Sequence, residues 1–250
     1  MQYKKLHDWN LTPTEAVALQ KELRAQVRIQ PLDRPARLVA GCDISFNKFS
    51  EVVYAGIVVL RLSDLAAVDR ATVVTETHFP YIPGLLSFRE TPALLEAWQQ
   101  LKTAPDVVML DGQGLAHPRR FGIACHFGLL IGLPTFGCAK TVLRGQYQEP
   151  DERAGSYSLM TDKGETVGMA LRTKDRVAPV YISAGHLIDL PSAIDLALRC
   201  VKGYGAKSQY RIPEPTRLAH ILVNALRRGE SLDKAVPLAS VSSSQPNLFD

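Results

Sequence analysis

The chain has 250 residues, of which 46% are hydrophobic and 22% are charged, the composition of an ordinary globular protein. No apolar run reaches the roughly 18 residues that a membrane span requires, and the first residues lack the apolar core of a signal peptide. We therefore exclude a membrane protein and expect a cytoplasmic one. The formal net charge of +4 permits nucleic-acid binding without predicting it. The four cysteines form no C-x-x-C pair, so we expect buried, reduced thiols with neither disulfides nor zinc.

The first half of the chain predicts one helix and then three strands. Thr12-Pro13-Thr14-Glu15 combines an N-cap, a proline in the first turn and a capping-box glutamate, and the apolar spacing carries the helix to about Ile29. Strand-like runs follow at Leu38–Ile44, Val52–Leu62 and Ala71–His78. Their short links favour antiparallel hairpins.

The rest of the chain alternates strands and helices. After a loop at Pro80–Leu86, a helix is predicted to begin at Thr91-Pro92 and to reach Leu101. The elements that follow are strand Asp106–Leu110, helix Phe121–Leu130, strand Pro134–Ala139, strands Tyr157–Met160, Val167–Leu171 and Val180–Ser183, helix Ser192–Lys202 capped by Gly203, and helix Pro215–Arg228.

This order predicts a mixed α/β architecture. The first three strands pair antiparallel, and the next two follow crossover helices, which is the connection that parallel strands require. We expect a mixed five-stranded sheet flanked by helices, with an added C-terminal β/α segment. The predicted domain spans about residues 10–230, and the polar residues 240–250 are predicted to be a disordered tail.

Three carboxylates and one lysine stand where an apolar strand ends or a turn begins. They are Asp43, Glu90, Asp111 and Lys140. Taken alone, each has an ordinary interpretation. Asp111 would be a turn residue, Glu90 an acid at a helix N-terminus, Asp43 the partner of Arg37 or Lys48 in an ion pair, and Lys140 a surface lysine. Together they fit one edge of a sheet if the strands of the two aspartates are parallel neighbours, and ligands bind at that edge in open α/β sheets.

The chemistry of this group favours phosphodiester hydrolysis. Buried carboxylates are costly unless paired, and a shared hard cation such as Mg²⁺ is the economical partner, with water and substrate phosphate completing its coordination. Such a cation lowers the pKa of bound water and offsets charge on the scissile phosphate. The ammonium of Lys140 is expected to stabilise the developing negative charge.

Five segments carry a family resemblance. They are Gly41-Cys-Asp43, Pro80-Tyr-Ile-Pro-Gly-Leu-Leu-Ser-Phe-Arg-Glu90, Leu110-Asp-Gly-Gln-Gly-Leu-Ala-His-Pro-Arg119, Gly137-Cys-Ala-Lys140 and Arg211-Ile-Pro-Glu-Pro-Thr-Arg-Leu-Ala-His220. Through these segments the chain resembles endonuclease V, a deoxyinosine-directed nuclease family with a ribonuclease H-like fold, over roughly residues 10 to 230. The Tyr-Ile-Pro-Gly and Asp-Gly-Gln-Gly-x-x-His-Pro stretches are the long and specific ones.

The resemblance implies an activity and a substrate. It implies a Mg²⁺-dependent endonuclease, with Mn²⁺ as a substitute metal, that nicks a strand carrying deaminated adenine. The cut falls at the second phosphodiester bond on the 3′ side of the lesion and leaves a 5′-phosphate. Inosine-containing DNA, double- or single-stranded, is the implied partner.

The resemblance also assigns roles to residues. Asp43, Glu90 and Asp111 would be the metal-site acids, and Lys140 would lie beside the scissile phosphate. His220 is a candidate for a residue that contacts the metal ligands without binding the metal itself. The alternative interpretation is an ordinary histidine on a helix face. The substrate-binding residues would be Tyr81, Pro83, Gly84, Leu86, Gly112, Leu115, His117 and Gly122, with Tyr81 in a wedge that enters the duplex and the glycine-containing segments around the extruded base.

Physical chemistry supports the wedge and the pocket in part. Each proline of Pro80–Pro83 restricts its own backbone and that of its neighbour, so the loop is stiff, as a wedge requires. Glycines let the backbone approach a flipped base closely. An ordinary loop between a strand and a helix is the alternative for Pro80–Pro83, and a loop histidine is the alternative for His117.

Two other functions remain open from the sequence. One is an inosine-specific ribonuclease of the same fold, or a nuclease for branched DNA, because the metal site does not distinguish these substrates. The other is a non-catalytic nucleic-acid-binding protein, which the presence of all four site residues argues against. In addition, Gln245-Pro-Asn-Leu-Phe249 resembles the peptides with which bacterial proteins bind the DNA sliding clamp, although a chance match in a frayed end is the alternative.

Overall fold

The computed structural model describes residues 1–47, 50–204 and 207–239. Within these residues, eight strands are present: β1 (Leu38–Phe46), β2 (Val52–Arg61), β3 (Ala66–Glu76), β4 (Val107–Leu110), β5 (Thr135–Ala139), β6 (Tyr157–Asp162), β7 (Glu165–Leu171) and β8 (Val180–His186). The helices of the same residues are α1 (Pro13–Arg24), α2 (Leu86–Gln100), α3 (Ile123–Ile131), α4 (Leu190–Arg199), α5 (Glu214–Arg228) and α6 (Leu232–Ala235).

All eight strands belong to one sheet, in the order β3-β2-β1-β4-β5-β8-β7-β6. Strands β1, β2 and β3 pair antiparallel as consecutive hairpins, and β1, β4 and β5 pair parallel. The predicted α/β fold with a ribonuclease H-like mixed sheet is confirmed. The added C-terminal strands continue the same sheet, because β8 pairs antiparallel with β5 and carries β7 and β6 outward.

Helices cover both faces of the sheet. Helices α4 and α5 pack on one face around Val58, Met109 and Phe136, whereas α2 and α3 pack on the other around Ile57 and Val108. Alternate residues of β1, β2 and β4 enter the two cores, as the two-residue period of a strand requires. Helix α1 lies outside α3 and the start of α2.

Helix α5 lies very close to β1. A Cβ atom on Gly41 would lie 2.0 Å from the backbone carbonyl of Pro215, and one on Gly56 would lie 2.6 Å from Val223. Only glycine permits the approach of backbone to backbone at Gly41, and at Gly56 a side chain would collide with that of Val223. The distance between α5 and β1 is therefore fixed, and this sets the position of the side chains that α5 presents to that strand.

Segments beyond residues 10–230 also pack on the sheet and its helices. Lys4 donates from its backbone N–H to the carbonyl of Leu130 over 2.7 Å, and Ala239 donates in the same way to Ala67 over 2.7 Å. The short helix α6 was not predicted, and Arg70 donates to the carbonyl oxygens of its first residue, Leu232, and of its C-cap, Val236. Among the described residues, no helix is long and apolar enough to cross a membrane.

The largest difference from the predicted elements concerns α2. The helix begins at Leu86 rather than at Thr91, so Pro92 lies inside it and Glu90 lies on the helix instead of in a turn. A tight turn explains this start: Leu85 donates from its N–H to the carbonyl of Ile82 over 2.9 Å, with Gly84 at φ 81°.

Several element ends also differ. Helix α1 ends at Arg24 rather than near Ile29, in a tightened last turn. Strand β3 begins at Ala66 rather than Ala71, because the link to β2 is a turn in which Leu65 adopts φ 57°. Helix α4 ends at Arg199 with Cys200 as its cap, so Gly203 is not the cap. The four cysteines are buried and free, as predicted.

Candidate functional site

The two aspartates lie on adjacent parallel strands. Strand β1 pairs with β4 as far as Cys42 opposite Leu110, and the next residues on each strand are Asp43 and Asp111. The backbone N–H of Asp111 donates to the carbonyl of Cys42 over 3.3 Å. The predicted parallel neighbours are therefore present. Strand β1 continues to Phe46, however, so Asp43 lies within its strand, opposite Gly56 of β2, rather than at its end.

Lys140 follows the third parallel strand at the same edge. Strand β5 ends at Ala139, and the Lys140 ammonium forms an ion pair with a carboxylate oxygen of Asp111. Burial disfavours the charge of Lys140, but the carboxylates of Asp111 and Asp43 hold the pKa of the lysine above its usual value. Lys140 is thus a charged partner of the acidic site rather than an isolated surface lysine.

His220 supplies the other contact to the aspartates. Nδ1 of His220 lies 2.8 Å from Oδ2 of Asp43, and Nε2 lies 3.2 Å from Nδ2 of Asn224. Oδ1 of Asn224 accepts from Ser45 and Arg227, so Nδ2 must be a donor. Nε2 of His220 therefore accepts, and Nδ1 carries the proton that it donates to Asp43. The partners considered for Asp43 from the sequence were Arg37 and Lys48; Lys48 lies outside the described residues.

Glu90 reaches the site from α2, on the other face of the sheet from α5. Burial, followed by the charges of Asp43 and Asp111, raises its pKa to about 8. The pKa of Asp111 is also raised, first by burial and then by Asp43, against the opposing effect of Lys140. These shifts show that three carboxylates crowd one partly buried site and repel one another.

The donor set fits a hard divalent cation. Within the described residues, no three His, Cys, Asp or Glu side chains form a ready-made metal cluster. Mg²⁺ does not require three protein side chains, because it commonly binds one or two carboxylates and keeps several waters. A cation near Asp43 and Asp111 would offset the repulsion that raises the pKa of Asp111 and Glu90. These carboxylates are the residues that would hold such an ion.

A pocket of about 460 Å³ opens beside Asp111 and Lys140. We call it the lateral pocket. Its wall comes from the loop before α2, the segment after β4, the start of α3 and the segment after β5. The lining residues are Gln20, Tyr81, Ile82, Pro83, Gly84, Leu86, Ser87, Asp111, Gly112, Gln113, His117, Phe121, Gly122, Ile123, Ala139, Lys140, Thr141, Val142 and Leu143.

Most residues predicted to bind substrate line this pocket. Leu115 does not line it, because its side chain packs on the cores beneath the loop and its N–H donates to Ala184 over 2.8 Å. Tyr81 is 64% exposed at the rim, so its ring is free to contact a ligand. A Cβ atom on Gly122 would lie 2.1 Å from the carbonyl oxygen of Gln113, and no larger residue fits there. Gly112 has a similar constraint against Ile123.

His117 holds the pocket loop in place. Its Nε2 lies 2.9 Å from the carbonyl oxygen of Gly84, and its Nδ1 accepts from the N–H groups of Arg119 at 3.1 Å and Phe121 at 3.4 Å. Burial lowers the pKa of His117 to about 4, so the ring is neutral and Nε2 carries its proton. The histidine is thereby committed to the protein backbone and is not free to bind a ligand through either nitrogen.

Two further side chains bind the same carbonyl of Gly84. Nη2 of Arg119 donates to it over 2.6 Å and Nε2 of Gln20 donates over 3.1 Å, while Nε of Arg119 donates to Gln20. Sequence reasoning missed Gln20, Ser87 and Gln113. The available signal for Gln20 is its position between Ala16 and Leu23 on the buried face of α1, where an apolar residue is expected.

The basic side chains near the pocket also bind the protein itself. Arg120 and Arg144 both form ion pairs with Asp162. Arg211 donates to the carbonyl oxygens of Lys140 at 2.9 Å and Pro179 at 2.7 Å. These arginines therefore hold the segments after β4 and β5 in place through contacts within the protein.

The sheet order, with two aspartates side by side on adjacent parallel strands and a lysine after the next parallel strand, is that of a ribonuclease H-like nuclease. A family model for endonuclease V matches residues 21–221, which is most of the chain. The chain therefore belongs to the endonuclease V family.

Relatives and solved structures agree with this assignment. An endonuclease V of Myxococcus xanthus is 50% identical over 226 residues, covering 89% of this chain and 92% of that protein. The crystal structure of endonuclease V from Streptomyces avermitilis has a TM-score of 0.81 at 42% identity and covers 88% of this chain and 96% of its own. Ciona intestinalis endonuclease V, in complex with a 24mer DNA containing an inosine followed by a ribo-adenosine, has a TM-score of 0.74 at 26% identity, covering 86% of this chain and 97% of its own.

Proposed function

We propose that this protein is a DNA repair endonuclease that nicks the strand carrying deoxyinosine, at the second phosphodiester bond 3′ to the lesion, by Mg²⁺-dependent hydrolysis. The observation that carries the proposal is the lateral pocket of about 460 Å³ directly beside Asp111 and Lys140. A pocket that accepts one extruded base and an acidic site that hydrolyses a nearby phosphodiester bond are thereby adjacent. The Ciona relative, which was solved with inosine-containing DNA, supports the choice of lesion.

The acidic site supplies the hydrolytic chemistry. Asp43 and Asp111, with Glu90 beside them, would hold the cation, which when bound activates water and offsets phosphate charge. His220 orients Asp43 by donating from Nδ1 over 2.8 Å, and such partners of metal-binding carboxylates fix their direction. Attack by water on the phosphorus with departure of the 3′ oxygen leaves a 5′-phosphate. Mn²⁺ is expected to substitute for Mg²⁺ because it accepts the same oxygen ligands.

Lys140 contributes positive charge at the reacting phosphate. Its ammonium already contacts Asp111, and 38% of its side chain is exposed, so a phosphate can approach it. A fixed charge of this kind is most useful when negative charge increases in the transition state. We therefore assign Lys140 to the stabilisation of that charge.

The lateral pocket supplies the selection of the base. Part of its wall is formed by backbone atoms, because three lining residues have no side chain: Gly84, Gly112 and Gly122. Helix α2 also begins at the pocket, without a side-chain cap. Phe88 already donates from its N–H to the carbonyl of Leu85 over 3.0 Å, which leaves the N–H groups of Leu86 and Ser87 as donors that suit the carbonyl oxygen of hypoxanthine and not the amine of adenine. Tyr81 and Pro83 at the rim would fill the space that the extruded base leaves in the stack.

Alanine variants of the acids test the nuclease assignment. Asp43→Ala and Asp111→Ala should each abolish nicking of an inosine-containing duplex in Mg²⁺ while the protein remains folded by circular dichroism. Ca²⁺ should support binding with little cutting, because its looser coordination orients water poorly. The control is Asp64→Ala, which removes a carboxylate that pairs only with Arg61 and Ala66 on the surface turn. Full activity of either site variant would contradict the assignment.

An inosine-specific ribonuclease is the second candidate. The pocket would accept the same base on a ribose, and the described residues give no reason to exclude a 2′-hydroxyl. Matched oligonucleotides with inosine in DNA or in RNA, incubated with Mg²⁺ and mapped on a sequencing gel, separate the two activities. Faster cleavage of the RNA would replace the proposed substrate.

We also propose a partner for the C-terminal residues, which lie outside the described residues. Gln245-Pro-Asn-Leu-Phe249 matches the pattern of clamp-binding peptides, and a clamp would place the nuclease where deoxyinosine enters DNA. This role requires a cytoplasmic protein, and the buried free cysteines are consistent with a reducing compartment. A peptide of residues 242–250 should bind a bacterial sliding clamp weakly, and Leu248→Ala with Phe249→Ala should remove that binding. No binding at high micromolar peptide would overturn the proposal.

A further inference from the structure

A chain of hydrogen bonds links the wall of the lateral pocket to the protein surface. Oγ of Ser87 lies 3.1 Å from Nδ1 of His126, and Nε2 of His126 lies 2.7 Å from Nε2 of His7. At the outer end, Nδ1 of His7 lies 2.8 Å from the carbonyl oxygen of Asp8. Ser87 and His126 are buried, and His7 is partly exposed. Ser87 lines the pocket, so the chain ends at the space in which a ligand would lie.

When both imidazole rings are neutral, the outer end of the chain fixes the position of every proton. A carbonyl oxygen only accepts, so Nδ1 of His7 carries the proton of that ring and its Nε2 accepts. Nε2 of His126 must then donate, which leaves Nδ1 of His126 without a proton. The hydroxyl of Ser87 therefore donates to His126. Its oxygen retains its lone pairs but has no proton to offer to a ligand.

The surroundings of His126 keep this arrangement in place. Burial holds the pKa of His126 well below its usual range, so the ring stays neutral with one N–H. The ring lies among Trp9, Phe88 and Phe121, with centroid distances of 5.3, 5.1 and 5.2 Å. If Ser87 turned its proton away, the buried Nδ1 of His126 would lose its donor, which is costly in such an environment.

A hydroxyl that only accepts distinguishes bases that a free hydroxyl does not. Hypoxanthine carries a proton on N1, whereas adenine has a lone pair there. A free serine bonds to either one by rotating its proton, but a serine whose proton is held elsewhere binds the N–H and repels the lone pair. The beginning of α2, where Ser87 is the second residue, also offers backbone donors for the neighbouring carbonyl oxygen.

We propose that Ser87 is a specificity-determining residue, that its Oγ accepts the N1–H of the extruded hypoxanthine, and that His126 and His7 are positioning residues that keep it from donating. The inference deepens the proposed function and rests on it, since it requires a base in the lateral pocket. It assigns rejection of adenine to a relay that begins two imidazole rings away from Ser87, at His7 in the N-terminal segment. Guanine also carries an N1–H, so its exclusion must come from another part of the wall.

The test compares inosine with adenine in single strands that are otherwise made of pyrimidines, so that no pairing must be broken. Cleavage rates are measured with enzyme in excess and Mg²⁺, and binding is measured by fluorescence anisotropy in EDTA. Ser87→Ala should lower inosine cleavage and affinity by roughly tenfold, the value of one buried hydrogen bond, without lowering adenine cleavage. His126→Phe should leave inosine cleavage in place and raise adenine cleavage, so that the inosine-to-adenine ratio falls roughly tenfold.

His7→Ala and Trp9→Phe complete the comparison. His7→Ala releases the outer end at a partly exposed position, so it should lower the same ratio even if His126→Phe does not fold. Trp9→Phe changes the packing around both histidines without removing an atom of the chain, and its ratio should equal that of the unaltered protein. A ratio that stays unchanged in His7→Ala, or equal losses for both bases in Ser87→Ala, would overturn the inference. If the unaltered protein does not cut inosine strands at all, the proposed function itself fails.

Discussion

Replacement of His117 by glutamine tests how the lateral pocket is held together. The histidine donates from Nε2 to Gly84 and accepts two backbone N–H groups at Nδ1. Glutamine keeps a donor near the position of Nε2 but lacks an acceptor at the position of Nδ1. At about pH 7 the variant should be less stable by about 1–3 kcal/mol, the cost of leaving buried backbone donors unpaired.

The pH dependence gives a second, sharper expectation. Burial lowers the pKa of His117 from its ordinary value of 6.5 to about 4 in the folded protein. Between these values the unfolded chain binds a proton that the folded protein excludes, so stability is complete at neutral pH and falls with acid. At about 1.4 kcal/mol for each pH unit, His117 accounts for a loss of about 3 kcal/mol between about pH 6.5 and about pH 4. The glutamine variant lacks this loss.

Urea unfolding at a series of pH values measures the difference directly, with the fluorescence of Trp9 and Trp98 as the signal. The stability gap between the two proteins should shrink by about 2.5 kcal/mol as the pH falls from about 7 to about 4.5. Carboxylates and the other histidines titrate in both proteins and cancel in the difference. A gap that stays constant over this range would show that His117 titrates in the folded protein as it does in the unfolded chain.

Three further substitutions address the acidic site and the rim. Glu90→Gln should stop cleavage yet stabilise the metal-free protein by about 3 kcal/mol at about pH 7, because burial and the neighbouring aspartates raise the pKa of Glu90 from 4.5 to about 8 and folding at about pH 7 must then protonate it; thermal melting in EDTA measures this. Lys140→Ala should lower the cleavage rate more than the affinity, whereas a loss confined to affinity would make it a phosphate anchor. Tyr81→Ala should weaken binding to inosine DNA more than to undamaged DNA in anisotropy titrations. Equal losses of affinity for the two DNAs would indicate that Tyr81 binds DNA without regard to the lesion.

The sheet was predictable because its signals are local. Strands β1, β2 and β3 are long apolar runs with short links, and such links permit only antiparallel neighbours. Asp111 and Lys140 each follow the last residue of a short, fully buried strand, so their position at one edge follows from parallel pairing alone. The candidate metal site was therefore visible in the sequence wherever it depends on strand ends.

Glu90 was placed wrongly because tertiary packing outweighed a local signal. Proline favours the first turn of a helix and costs about 3 kcal/mol in the interior, which predicted a start at Thr91. Helix α2 nevertheless continues through Pro92, because its length buries Phe88, Leu94 and Trp98 among others. Full burial of a side chain of this size contributes about 1.5–3 kcal/mol, so several of them offset the lost backbone bond.

The rigidity of the pocket loop has one local source and one distant source. The prolines of Pro80–Pro83 are local, and they stiffen the loop without fixing its place. Its place depends on the carbonyl of Gly84, which accepts from His117 and Arg119 in the segment after β4 and from Gln20 on α1. These bonds tie the loop to the wall of the lateral pocket. Tyr81 at the rim and the lateral pocket are therefore joined in one unit, so under the proposed function a Tyr81 wedge that enters the stack would also set where the extruded base is received.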